Sequence, residues 1–191
     1  MSKPTLYFAY GSNLNQKDLD QWKARKPHYK NLDLKLKKKG NACLPFYRLG
    51  FTRKSVTRGN MGAADIVEEK NPDSKVWGVI FEINQAQLEA IQEKEAYPSY
   101  YQQAPVEVID SNGDRQRCIS YQAVVPDDKK RQFLFYKPHP EYYEVVRKGG
   151  EDHGLPAEFF KQLKTASVTE RNPVAIRMND TSGMAIIEDD D

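Results

Sequence analysis

Residues 6–25, LYFAYGSNLNQKDLDQWKAR, open the fold and carry its first functional signal. The apolar run from Leu6 to Tyr10 reads as a short strand, Gly11-Ser12-Asn13 as a turn, and the segment beyond Asn15 as a helix with Leu19 and Trp22 on one face. Asn15 and Asp18 stand at the spacing of a helix cap and its third-residue partner. Where a strand gives way to a helix, unpaired backbone N–H groups point outward, and a carboxylate is a fitting ligand for them. The residues alone leave a second reading open, in which Gly11 merely turns the chain and Ser12 or Asn13 caps the helix. The stretch is not a phosphate-binding P-loop, because no Lys follows the glycine at the required spacing. Nor is it a G-x-S-x-G elbow, because Asn13 and Leu14 follow Ser12.

Working outward, Leu32 to Phe51 alternates in character and contains Gly40 and Pro45, which predicts one or two strands joined by a turn. RGNMGAADIVE (58–68) and KVWGVIFEI (75–83) are expected as strands of one antiparallel sheet, with the turn between them at Asn71-Pro72-Asp73-Ser74. Asn84 followed by Gln87 is a reciprocal capping arrangement, predicting a helix that runs to about Lys94. APVEVID and RQRCISYQAVV flank Ser111-Asn112-Gly113-Asp114, a hairpin signal. Pro138, Pro140 and Gly149-Gly150 bracket a helix at Glu141 to Lys148, and Leu155-Pro156-Ala157 begins another through Phe160 and Leu163. The sum is one mixed α+β unit, expected as a domain over 1–165 with a C-terminal extension over 166–191 whose acidic end is frayed.

The chain has 191 residues, 39% hydrophobic and 29% charged, with eleven Tyr and eight Phe, which is the composition of a folded globular domain. A net charge of +2 gives no case for nucleic acid, and the run Lys35, Lys37, Lys38, Lys39 is read as a solvated face. Only five residues precede the first strand, too few for a secretory signal, so a cytoplasmic location is expected. No apolar run approaches the roughly 20 residues of a membrane helix, so no membrane partner is expected. Cys43 and Cys118 lack metal or framework spacing and are expected as free thiols. His28, His139 and His153 are too dispersed to define a metal site and are expected as surface or capping residues. No metal and no cofactor are predicted.

Glu95 is the second chemical candidate. Its helical phase sets it with Leu88 and Ile91 on the face that packs inward, where burial would raise its pKa towards the range of a general base, about 6 to 7. Phase alone also permits a Glu95 beyond the helix end, paired with a surface lysine. A cysteine or serine hydrolase using Cys43, Cys118 or Ser12 with a distant His has no local support in the sequence.

YFAYGSNL near the start, followed by a helix that ends in a Glu-x-Glu pair, closely resembles the γ-glutamylcyclotransferases. KVWGVIFEIN with LEAIQEKE, and CISY, PHPEYYEVV and GGEDHGLPAEFFKQL, are similar to further segments of that family, so the resemblance spans Leu6 to Leu163. YGSN is shared with looser relatives, whereas the GLP segment points to this branch. The resemblance implies a small mixed, mainly antiparallel β-barrel flanked by helices, and an enzyme releasing 5-oxoproline from a γ-glutamyl small molecule. It makes Glu95 the catalytic acid/base, and Tyr7, Phe8, Ala9, Tyr10, Gly11, Ser12, Asn13 and Leu14 the segment gripping the glutamyl group. Tyr101 and Tyr142 match pocket tyrosines of the family, though each could instead anchor its hydroxyl to backbone. Two departures stand out. The family's usual Gly after the catalytic Glu is Ala96 here, ahead of a loop, Tyr97 to Tyr100, one residue shorter than usual, and VAIRMNDTSGMAII, beyond Leu163, gives no firm correspondence to the family. That stretch is left as an added strand or an interface. The amine that departs and the oligomeric state stay open, a homodimer among the options, as does a silent module that binds glutamyl ligands.

Overall fold

The computed structural model describes residues 4–55, 59–124 and 135–168, with a short pair of strands further on. Five strands close into a barrel in the order β1 (Thr5–Ala9), β5 (Lys75–Ile83), β2 (Lys37–Pro45), β6 (Tyr101–Asp110) and β7 (Arg115–Ala123). Neighbours are antiparallel except at the closure, where β1 meets β7 in parallel through Tyr7 and Ile119. Among the described residues four α-helices flank it: α1 (Gln16–Ala24), α2 (Gln85–Lys94), α3 (Pro140–Asp152) and α4 (Ala157–Val168). This is the mainly antiparallel barrel expected from the sequence.

β3 (Tyr47–Ser55) and β4 (Met61–Glu68) correct one expectation, because β4 does not share a sheet with β5. The cause is a corner between β2 and β3. Phe46 has a φ of 63°, and its backbone is clamped from both sides by Phe46 N donating to Ser74 O at 2.8 Å and Glu69 N donating to Phe46 O at 2.7 Å. That corner carries β3 out of the barrel, and β3 pairs with β4 while β5 returns between β1 and β2.

The caps are where the sequence places them. Asn15 Oδ1 accepts from Asp18 N at 3.1 Å, and Asn84 and Gln87 exchange side-chain-to-backbone bonds at 2.9 and 3.1 Å. The β6–β7 turn is tied by Asp110, whose carboxylate accepts from the N–H groups of Asn112 and Asp114, with Gly113 at a φ of 86°. Asn71–Ser74 turns as expected, Ser74 N donating to Asn71 O.

Gly149 and Gly150 do not end α3 after Lys148 but lie inside it, both buried. A Cβ on Gly149 would fall 2.6 Å from Leu14 Cβ, and one on Gly150 2.3 Å from the Phe159 ring. The glycines therefore let α3 approach the β1–α1 turn and α4 closely, at a helix-propensity cost of about 1 kcal/mol each. The helix stops instead at His153, before Gly154 at a φ of 62°.

Phe8, Leu14, Leu34, Val79, Ile83, Ile91, Phe159 and Leu163 are among the fully buried side chains joining barrel to helices. Lys37 and Lys39 flank Glu82 on the neighbouring strand and Lys38 donates to His153 O, so the basic run is a solvated face. Among the described residues no helix is long and apolar enough to cross a membrane. Beyond α4, β8 (Arg177–Met178) pairs antiparallel with β9 (Ala185–Ile186), while the acidic end falls outside the described residues.

Candidate active site

The end of β1 and the end of α2 converge. After Tyr10, the chain makes a single 3-10 turn, Ser12–Leu14, before Asn15 caps α1. Asn15 takes the capping role, so the Ser12 and Asn13 side chains are used elsewhere. Asn13 is 4% exposed, and its amide nitrogen donates twice, to Tyr7 Oη and to Glu95 Oε1, both at 2.7 Å. Its Oδ1 is buried in the same pocket without a partner among the described residues. Ser12 Oγ accepts from Lys94 Nζ at 3.0 Å, and Lys94 also pairs with Asp18 at 3.0 Å, both side chains nearly buried.

Glu95 is the residue on which α2 ends, its N–H closing the last turn on Ile91 O at 2.9 Å. The next residue, Ala96, takes a φ of 50°, a left-handed conformation in which glycine is the unstrained residue. This accounts for the usual glycine at that position. Glu95 keeps partial solvent access along the cleft it lines, yet its carboxyl group lies deep in the protein. Burial raises its pKa above the ordinary value; the Lys94 charge and the Asn13 hydrogen bond pull it back, and Asp18 adds to the rise.

Around this carboxylate a small inner pocket is walled by tyrosines: Tyr7, Tyr10, Tyr101, Tyr121 and Tyr142. Two are clamped on one backbone unit of β4, Tyr101 donating to Ala64 O at 2.8 Å and Tyr142 accepting from Ala64 N at 3.1 Å. Tyr10 donates to Tyr121 O at 2.5 Å. Burial, with the Glu95 charge contributing, pushes the phenols of Tyr7, Tyr10, Tyr101 and Tyr121 upward, so they remain neutral hydroxyls. A wider outer cleft of about 1080 Å³ shares Ser12, Glu95, Tyr101 and Tyr142 with the inner pocket and continues past Arg53, Tyr100 and Glu141.

The structure thus brings Tyr7, Tyr10, Gly11, Ser12, Asn13, Glu95, Tyr101 and Tyr142 to one pocket. It does not bring Phe8, Ala9 or Leu14 to the pocket wall. Strand alternation turns Phe8 to the opposite side from Tyr7, against Gly78, and Leu14 packs on Gly149. Tyr101 and Tyr142 do both things foreseen for them, lining the pocket and bonding backbone. Tyr121 was missed, although it closes the CISY segment, as were Lys94 and Asp18. Their pairing depends on α1 crossing the end of α2, and no local pattern announces that.

Hydrolase chemistry finds no geometry. The hydrogen bond to Ser12 comes from Lys94, while His28 bonds Glu93, His139 caps α3 and His153 bonds Leu14 O. Neither Cys43 nor Cys118 lines the pocket, and burial pushes the Cys118 thiol up to about 11.

The fold and site together define an α+β barrel with a buried carboxylate, Glu95, where a tyrosine-walled pocket opens into a wider cleft. Residues 75–163 match the AIG2-like family. The chain is 29% identical over 164 residues to the γ-glutamylcyclotransferase of Bos taurus, covering 84% of this chain and 77% of the relative. It is 28% identical over 190 residues to that of Homo sapiens, covering 97% and 86%. A solved structure of a γ-glutamyl cyclotransferase superposes with a TM-score of 0.67 at 25% identity, covering 96% of this chain and 94% of that one. The chain is thus similar to γ-glutamylcyclotransferases over most of its length, and its residues 75–163 match the AIG2-like family.

Proposed function

We propose that this protein is a γ-glutamylcyclotransferase, converting a γ-glutamyl amide into 5-oxoproline and a free amine, with Glu95 as the acid/base. The observation that carries the reading is the Glu95 carboxylate, buried, raised in pKa, and held by Asn13 where the inner pocket meets the outer cleft. The relatives named above support the reaction class.

In this mechanism the glutamyl group lies in the cleft at the mouth of the inner pocket, its α-carboxylate towards the Gly11–Asn13 backbone and the Lys94 charge, and its α-ammonium towards Glu95 and Asn13 Oδ1. Glu95 takes a proton from the ammonium. The freed amine attacks the γ-carbonyl carbon, forming the ring C–N bond, and the original amide C–N bond breaks. Glu95 passes its proton to the departing nitrogen. The second proton shed by the attacking nitrogen also ends on the amine product, so no water is consumed and no net proton is released. A raised pKa suits a group that must both take and return a proton near neutrality. Neutral tyrosine hydroxyls beside the reacting carbonyl can donate to its developing oxyanion. The nucleophile is intramolecular, so folding the glutamyl chain supplies much of the rate, with effective molarities of roughly 10⁵ M or more.

The test is product analysis by mass with a panel of γ-glutamyl dipeptides and γ-glutamylamines, run on wild type and Glu95→Gln. Release of 5-oxoproline that depends on Glu95 supports the reading. Release that survives Glu95→Gln would remove Glu95 from the chemistry. Binding of γ-glutamyl compounds with no product from any of them would replace the enzyme by a binding module.

A further inference from the structure

The outer cleft, which on the cyclotransferase reading receives the departing amine, carries charges that are mostly committed. Lys94 pairs with Asp18, Lys26 with Glu93 at 2.7 Å, and Lys54 lies over the Tyr136 ring. Of the carboxylates on its wall, Asp18 is held by Lys94 and Glu95 by Asn13, while Glu141 stands exposed on the first turn of α3. Arg53 differs from all of these. Its guanidinium carbon lies 3.5 Å from the centre of the Tyr100 ring, and one nitrogen donates to Tyr100 O at 3.2 Å. It has no carboxylate partner among the described residues.

Two features make this a prepared group rather than a loose surface charge. The β3–β4 register slips by one residue between Gly50 and Arg53, a bulge immediately before the arginine, and bulges re-aim the side chains beside them. Stacking on Tyr100 then fixes the plane of a partly buried guanidinium that offers five N–H donors and uses one among the described residues. A desolvated, unpaired guanidinium is costly unless something anionic completes it. Arg53 lies on the leaving-group side, its guanidinium carbon 5.9 Å from the ring of Tyr101, the tyrosine shared by the inner pocket and the cleft.

We propose that Arg53 is the specificity-determining residue for the leaving group: it binds a carboxylate on the departing amine and so selects γ-glutamyl derivatives of α-amino acids over those of simple amines. The proposal rests on the cyclotransferase reading above. In such a substrate the carboxylate is two bonds from the scissile nitrogen, close to the bond that breaks, and a guanidinium can meet it through two parallel N–H donors.

The experiment compares γ-glutamyl-alanine with γ-glutamyl-alaninamide, which has the same size and lacks only the negative charge. Wild type is expected to favour the carboxylate substrate by roughly tenfold or more in kcat/KM, as one charge-assisted pair implies. In Arg53→Gln that ratio should collapse to within about twofold of unity, and Arg53→Lys should restore part of it. Equal turnover of the two substrates by wild type overturns the proposal without any variant. An equal fall on both substrates in Arg53→Gln also overturns it, since a structural role predicts that pattern. Absence of 5-oxoproline from both substrates overturns the parent reading itself, which keeps the two failures apart.

Discussion

Glu93 and Glu95 are two residues apart, yet they occupy opposite electrostatic worlds. Glu93 sits on the outer side of α2, bonded by Lys26 at 2.7 Å and His28 at 2.9 Å, and these hydrogen bonds bring its pKa down to about 2. Glu95 sits where the helix ends against the tyrosine pocket, and burial drives its pKa upward despite Lys94 and Asn13. The same carboxyl group is thus held ionised in one place and pushed towards its protonated form in the other. The difference lies in a helix turn that directs one inward and the other out, and in the end of β1 that meets the inward one.

The sharpest way to break this comparison is to neutralise each carboxylate in turn. Glu95→Gln should lower kcat at least about 10³-fold, the scale of a lost acid/base, while Glu93→Gln should stay within about twofold. Similar losses in the two variants, by 5-oxoproline release, would mean that the pair shares the chemistry.

The next largest effect concerns Asn13, which touches Glu95 but not Glu93. Asn13→Ala should lower kcat roughly ten- to a hundredfold by loosening the carboxylate. The lost hydrogen bond favoured the ionised form, so the acidic limb of the kcat/KM profile should move to higher pH. A lowered rate with an unmoved limb would assign Asn13 to substrate binding alone.

Stability should separate the two residues by sign. The folded pKa of Glu95 lies above its ordinary 4.5, so its cost to folding appears as pH rises through 4.5 and is complete once pH exceeds the folded value. Glu95→Gln should therefore melt higher than wild type at pH 8, with the gap closing below about pH 4. Glu93, depressed to about 2, contributes stability above 4.5 that is lost as pH falls towards 2. It is partly exposed and screened, so Glu93→Gln should lower Tm at neutral pH by only about 1–2 °C. Melting curves of both variants across pH would show the sign of each, and a lower Tm for Glu95→Gln at pH 8 would contradict the burial assigned to it.

The smallest effect lies at the junction itself. Ala96→Gly should relieve the left-handed strain after Glu95 and offset the entropy that glycine adds to the unfolded chain, for a net gain of about 0.5–1 kcal/mol by denaturant melts. A loss of stability would mean that the Ala96 methyl group packs better than the strain costs.

Local chemistry made much of this legible beforehand. Asn15, Asn84 and the Asn112-Gly113 turn act within a few residues of themselves, and each appears where its spacing places it. The helical phase of Glu95 was legible too, but phase left an inward carboxylate and a surface ion pair equally available. What chose between them was Asn13, 82 positions away in sequence.

By itself, then, the sequence determined most of the elements, their caps and the alternation of the barrel strands, because those properties arise from side chains within one turn or one hairpin of each other. The tertiary structure decided the rest. It sent β3 and β4 out of the barrel at the Phe46 corner, kept Gly149 and Gly150 inside a helix because Leu14 and Phe159 crowd them, and clamped Tyr101 and Tyr142 on Ala64. It also stacked Arg53 on Tyr100. Each of these is a contact between segments distant along the chain, whose energy exists only once the barrel has closed.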